Sequence, residues 1–173
     1  MKKLFLLLFL ATSSTLVNAQ ESSKKQESSL PYIQYVSEHL QSSGMPDSSQ
    51  FRLIQKEGFT HVISLNQGDF SYEADSLKKM GISFTQIEVD SQNPTLEDFK
   101  TFIKDMKIHN GEKILVHCKT NRKASAFVYA YRVSELNADQ DEAFGLTYKL
   151  WEPHGGFPEN WTMFFEEVLK KKD

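Results

Sequence analysis

Lys113-Ile114-Leu115-Val116-His117-Cys118-Lys119-Thr120-Asn121-Arg122-Lys123-Ala124-Ser125 reads as an apolar strand, a tight turn headed by the only cysteine in 173 residues, and the opening of a helix. Ile114, Leu115 and Val116 form a continuous apolar run behind the turn signal Asn110-Gly111. That is the pattern of a strand buried on both faces of a parallel sheet. Beyond the turn, Ala126, Phe127, Val128, Ala130, Tyr131 and Val133 make a helix apolar around most of its circumference, so it is largely buried as well. A strand that feeds a helix through a short loop aims the loop N–H groups and the positive helix end at one point, where an anion is stabilised. A cysteine at that point is favoured as thiolate by the same donors. With Lys119, Arg122 and Lys123 in the turn, the segment describes an anion cradle with a nucleophile, Cys118, at its centre.

The flanking sequence repeats the strand–helix theme. Structure begins near Tyr32, with Ile33, Val36 and Leu40 as anchors, and Ser43-Gly44-Met45-Pro46 is a turn. Asp47 or Ser48 caps a short helix bearing Phe51, Leu53 and Ile54, which ends before Gly58. Thr60 to Leu65 is a buried, β-branched strand, followed by a loop at Asn66–Asp69 and a helix with Ala74, Leu77 and Met80 on one face. The next strand holds Ile82 and Phe84 and runs out toward Asp90. Thr95-Leu96-Glu97-Asp98 then opens a helix with a capping box, and its stripe of Leu96, Phe99, Ile103 and Met106 is core. After the signature helix, Asn137 to Asp141 starts another, and Asn160 caps a final helix whose Trp161, Phe164, Phe165 and Val168 dock on the body. Alternation of this kind predicts an α/β fold with a mostly parallel central sheet and helices on both faces. Ligands of such sheets sit beyond the carboxyl ends of the strands. Cys118, Asp90 and the Asn66–Asp69 loop each follow a strand, so all three are expected at one rim.

The amino terminus is expected to be a leader. Lys2 and Lys3 precede the apolar run Leu4–Leu10, and Val17-Asn18-Ala19 is a small-residue cleavage site, which together predict a secretory signal peptide over residues 1–19. A flexible tether at 20–29, rich in Ser, Lys, Gln and Glu, follows it, and one domain spans 30–173. Export to a periplasm or beyond follows, with no stable membrane span after cleavage. The whole chain carries a net charge of −3, and the leader holds two lysines and no acid, so the exported part is more acidic still. Nucleic acid is a poor partner for such a surface. A single cysteine also rules out an internal disulfide.

His117-Cys118 through Ser125 resembles the signature loop of the cysteine-dependent phosphatases, the protein tyrosine and dual-specificity phosphatase superfamily. The closer resemblance is to a small bacterial branch of phosphatase-like proteins, carried by Ser43-Gly44-Met45-Pro46, by Gly58-Phe59-Thr60-His61-Val62-Ile63-Ser64-Leu65 and by Ser125-Ala126-Phe127. It covers the chain from about Leu30 onward and implies a dual-specificity-phosphatase-like sheet. Two positions depart from the superfamily pattern. Ala124 stands where it places arginine, and Asn121 stands where it places glycine. Asparagine tolerates left-handed backbone better than most residues, so the second change is mild. The first removes a forked donor that lysine does not reproduce, although Arg122 or Lys123 could curl over the cradle.

The resemblance implies hydrolysis of phosphomonoesters through a phosphocysteine intermediate, on a phosphorylated small molecule or a phosphoprotein. Cys118 is the nucleophile, and the phosphate is held by the backbone of Lys119, Thr120, Asn121, Arg122, Lys123 and Ala124. Asp90 is the general acid, with Asp69 as runner-up. Ser125 is the hydroxyl that steadies the departing thiolate, and His117 shapes the loop. Neither a metal nor another cofactor is implied, and no cluster with metal-ligand spacing stands out in the sequence. Duller readings stand beside these: Asp90 as a strand end, Ser125 as a helix cap, the lysines as solvated charges, His154 as a loop residue and Asp98 as a cap alone. Two other functions stay open. One is a weak or inactive phosphatase relative that binds an anion or a protein partner; the other is persulfide transfer from the single cysteine.

Overall fold

Strands without a polar face need cover on two sides, and that requirement sets the architecture. The computed structural model describes residues 29–170, so the leader and, apart from Ser29, the tether lie outside the described residues. At its centre are β3 (His61–Ser64) and β5 (Ile114–His117), every residue of which is buried. They pair in parallel, His61 opposite Ile114 and Ser64 opposite His117. β4 (Ser83–Gln86) continues the parallel sheet beyond β3, and β2 (Leu40–Ser43) does so beyond β5. β1 (Gln34–Ser37) folds back antiparallel on β2, giving the order β1-β2-β5-β3-β4.

Helices cover both faces. On one, α1 (Phe51–Lys56) and α2 (Ser71–Lys79) bring Phe51, Ile54 and Leu77 onto Val62 and Leu115. On the other, α3 (Leu96–Ile108), α4 (Arg122–Leu136) and α6 (Glu159–Val168) bury Phe99, Phe102, Phe127, Trp161 and Phe164. Phe127 is the hub of that layer, with neighbouring ring centroids 5.2 to 6.2 Å away. α5 (Gln140–Trp151) packs along α4 and runs into a 3-10 turn at Glu152–His154. Among the described residues, no helix is long and apolar enough to cross a membrane.

Several local expectations need correction. The segment anchored by Ile33, Val36 and Leu40, for which the sequence predicts no particular element, is the β1–β2 hairpin, whose Ser42 and Ser43 are buried by their neighbours rather than by their own chemistry. Gln50, not Asp47 or Ser48, precedes α1; Asp47 Oδ1 accepts the N–H groups of Ser49 and Gln50 one step earlier. Pro158 precedes α6, while the Asn160 side chain is spent elsewhere. The Thr95–Asp98 capping box is formed in both directions.

Folding also brings His61 to groups far from it in the sequence. At the amino ends of the strands, His61, Asp105 and His109 each place a ligand-type atom within 4.8 Å of the others. The two imidazoles lie face to face, centroids 3.5 Å apart and planes 10° apart. Their in-plane lone pairs therefore run side by side instead of converging on a common ion. The groups are engaged with neighbours instead: His61 with Ser83 Oγ and Asp105 Oδ2, both at 2.7 Å, and His109 Nδ1 with Glu112 Oε1 at 3.0 Å. Thr85 Oγ1 donates to Asp105 Oδ1 at 3.0 Å. This is a brace between β3, β4 and α3. Burial opposes the Asp105 charge, but the hydrogen bond and charge of His61, with Thr85 and His109, outweigh it and hold the carboxyl below its usual 3.8.

A depressed carboxyl contributes stability above its unfolded value and loses it as pH falls through the folded one. Asp105→Ala should lower the melting temperature at neutral pH by about 3–10 °C, as expected for orphaning buried partners. Its melting temperature should also fall less steeply than the parent's below pH 4; parallel acid limbs would discount the brace.

Candidate active site

The turn from β5 into α4 is held from outside. Cys118, 2 % exposed, donates its N–H to Ser43 O at 3.3 Å, and Lys119 O accepts from Met45 N at 3.4 Å. Thr120 forms an isolated bridge with Gly44. Gly44 lets Pro31 and Tyr32 close over this strand end, since a Cβ there would lie 2.9 Å from the Tyr32 ring and 3.2 Å from Pro31 O. Asn121 then reverses the chain with φ +62°, and its Nδ2 donates to Tyr32 O at 2.6 Å. It precedes the helix, so Ser125 lies inside α4 rather than capping it. Ser125 N is the first of the helix to donate back, to Asn121 O at 2.9 Å. The N–H groups of Arg122, Lys123 and Ala124 are thus left at the helix mouth without intrahelical acceptors.

A pocket of 370 Å³ opens over this mouth. Cys118, Lys119, Thr120, Arg122 and Lys123 form its floor and one side, Asn66 and Gln67 a second, Ser91 and Gln92 a third, and Trp151, Pro158 and Trp161 the last. No Asp or Glu lines it. The loops after β3 and β4 thus meet the cysteine at one rim, but their carboxylates stand back. Asp90 is exposed and its Oδ1 accepts Gln92 N at 2.8 Å. Asp69 is exposed too; the Ser71 N–H at the start of α2, together with the Ser71 side chain, holds its carboxyl below the usual value. A wider groove of 840 Å³ between α5 and α6 is lined by aromatic side chains such as Phe144 and Phe157 and lies away from the cysteine.

The cations divide the space. Ala124 is fully buried in the core with Phe127, so the sixth position after the cysteine faces away from solvent. Lys123 is half-buried, and its Nζ donates to Val89 O at 2.7 Å, spanning from α4 to the Asp90 loop. Burial pushes its pKa down, and the charges of Cys118, Asp90 and Asp98 pull the other way without cancelling that. Arg122 lies over the Trp151 ring at 5.5 Å and bonds Thr120 Oγ1 at 3.3 Å. Lys119 is exposed. Ser125 Oγ donates to Arg122 O at 3.0 Å.

Sequence reasoning missed three supports. The loop after Asp90 is pinned by α6, with Asn160 Nδ2 donating to Ser91 O at 3.0 Å and Gln92 O at 3.1 Å. Trp161 Nε1 donates to Ser91 O at 3.0 Å, and Trp151 Nε1 to Arg122 O at 3.2 Å. Both tryptophans read as core, and they are; each also turns an edge to the pocket. The third is Glu73, buried against His117. His154 lies outside the pocket, exposed in its turn.

No family model and no curated protein matches the chain. Solved structures do. A crystal structure of a DUF442 phosphatase-like protein from Shewanella putrefaciens CN-32 is 30 % identical, with a TM-score of 0.71 over 80 % of this chain and 91 % of that one. Another under the same description is 28 % identical, also at 0.71, over 91 % and 96 %. The catalytic core of the PP-IP phosphatase SIW14 from S. cerevisiae, in complex with citrate, shares the fold at 16 % identity, with a TM-score of 0.69 over 80 % and 86 %.

Lys123 is half-buried in the pocket and Lys119 is exposed, so the two should contribute unequally to holding an anion there. Lys123→Met should weaken orthovanadate binding about tenfold, the scale of one lost charge-assisted contact. Lys119→Met should weaken it by less; titration calorimetry reads both, and equal losses would place the anion at the rim instead.

Proposed function

This chain belongs to the DUF442 family of phosphatase-like proteins within the cysteine-dependent phosphatase superfamily, and on that premise we propose that it hydrolyses phosphomonoesters through a phosphocysteine. The observation that carries the proposal is the Cys118 thiol at the floor of a carboxylate-free pocket, beside the open N–H groups of α4 and Lys123. Cys118 Sγ attacks phosphorus, forming the S–P bond as the ester P–O bond breaks. The N–H groups of residues 119–124 take the equatorial oxygens, where charge collects in the transition state. Lys123 supplies the cation that Ala124 does not.

Asp90 protonates the leaving oxygen in this scheme, which requires its side chain to turn from Gln92 N toward the pocket. In the second step water displaces Cys118 from phosphorus, and the Ser125 hydroxyl turns from Arg122 O to the departing thiolate. His117 keeps the loop in shape. The substrate is a phosphorylated small molecule or a phosphoprotein side chain.

One observation favours the second reading, an anion-binding relative with little turnover: the Asp90 carboxylate stands outside the pocket, and a lysine cannot fork two oxygens as arginine does. Hydrolysis of an aryl phosphate between acid and neutral pH separates the two. Turnover abolished in Cys118→Ser and reduced at least tenfold in Asp90→Asn is the expected result, on the usual scale of a general acid. No turnover above Cys118→Ser, with vanadate still bound, would leave the binding reading. The apolar run at residues 4–10 supports export with cleavage after Ala19; Edman sequencing of the protein recovered outside the cytoplasm should start at Gln20.

A further inference from the structure

Glu73 is in the wrong place for a surface helix. In α2 it shares a face with Leu77, four residues on, and it is only 5 % exposed while its neighbour Tyr72 is 69 % exposed. A carboxylate is costly in such a position unless a partner meets it. The partner is His117, fully buried, with Nε2 at 3.2 Å from Glu73 Oε1. The contact lies off the line of a hydrogen bond, and among the described residues Glu73 Oε1 and both His117 nitrogens are otherwise unpartnered, so the two buried side chains have only each other.

Its location gives it a use. His117 is the last residue of β5 and the chain neighbour of Cys118. Side chains alternate across a strand, so the imidazole lies on the α2 face with Leu115 while Val116 and Cys118 face the other core. Glu73 therefore meets, from behind the sheet, the side chain next in sequence to the thiol. α2 also begins directly after the loop whose Asn66 and Gln67 line the pocket. One buried contact ties that wall to the floor.

We propose that Glu73 is a positioning residue that, through His117, fixes the Cys118 peptide and the Asn66–Gln67 wall in the geometry that activates the thiol. This deepens the phosphatase reading and rests on it. A merely structural Glu73 would affect stability alone, so folding and thiol reactivity are read separately, with the near-isosteric Glu73→Gln beside the apolar Glu73→Met.

The lone cysteine makes the test clean. Alkylation of Cys118 by iodoacetamide is followed by intact mass across pH 5–9 in the full chain, with circular dichroism as the folding control. Glu73→Gln and Glu73→Met should stay folded, yet shift the alkylation profile to higher pH and slow alkylation at pH 7 about tenfold. In the His117→Gln background the same Glu73→Gln change should have no further effect, as required of a residue acting through His117. An unchanged profile in a folded Glu73→Met variant overturns the proposal, and so does an equal slowing with and without His117. Alkylation needs no turnover. A parent enzyme that fails to hydrolyse phosphate while Glu73 still controls the thiol would sink the phosphatase reading and keep the positioning role.

Discussion

N–H groups at the start of a helix can converge on one anion only if the chain arrives without spending them on itself. Here β5 enters α4 through a turn whose carbonyls and amides are met by other segments, so the helix mouth stays open. Asn121 supplies the left-handed reversal, and its side chain is anchored on Tyr32, which is itself left-handed at φ +48°. One bond joins these two left-handed residues across the rim. The β1–β2 hairpin has two purposes here: it closes the edge of β5, and it delivers Ser43, Gly44 and Met45 to the turn.

The same economy runs through the pocket walls. Lys123 is both a cation at the floor and a strut to the Val89 carbonyl. Arg122 is both a cation and a lid on Trp151, whose indole N–H returns to the Arg122 carbonyl. Such sharing bears on the absence of arginine at position 124. The methyl of Ala124 goes to the Phe127 layer, and positive charge reaches the pocket from the two residues before it.

How much of this could be read beforehand follows from where the signal lay. β3, β5, α3 and α4 announce themselves by apolar runs and helical spacing, and the cysteine turn by its charges, so the sheet and the cradle were legible. β2 was not, because Leu40-Gln41-Ser42-Ser43 offers one apolar residue and its serines are buried only by β5 and β1. Glu73 sits in Ser71-Tyr72-Glu73-Ala74-Asp75, a run that resembles any solvated helix start. The brace of His61 with Asp105 joins residues 44 apart, beyond any local pattern. Trp151 and Trp161 were legible as core; their second face depends on loop geometry.

The pinning of the Ser91–Gln92 wall by Asn160 and Trp161 has a consequence for the order in which the protein is made. A chain leaves the ribosome amino end first. By the time Cys118 and its turn have emerged, the sheet that carries them is complete, but the helix that fastens the third wall is not yet synthesised. The thiol is thus the early part of the site and its enclosure the late part. Loss of the last helix would strip Trp161 and Phe164 from the Phe127 layer together with the fastening of that wall, so that core and enclosure fail as one.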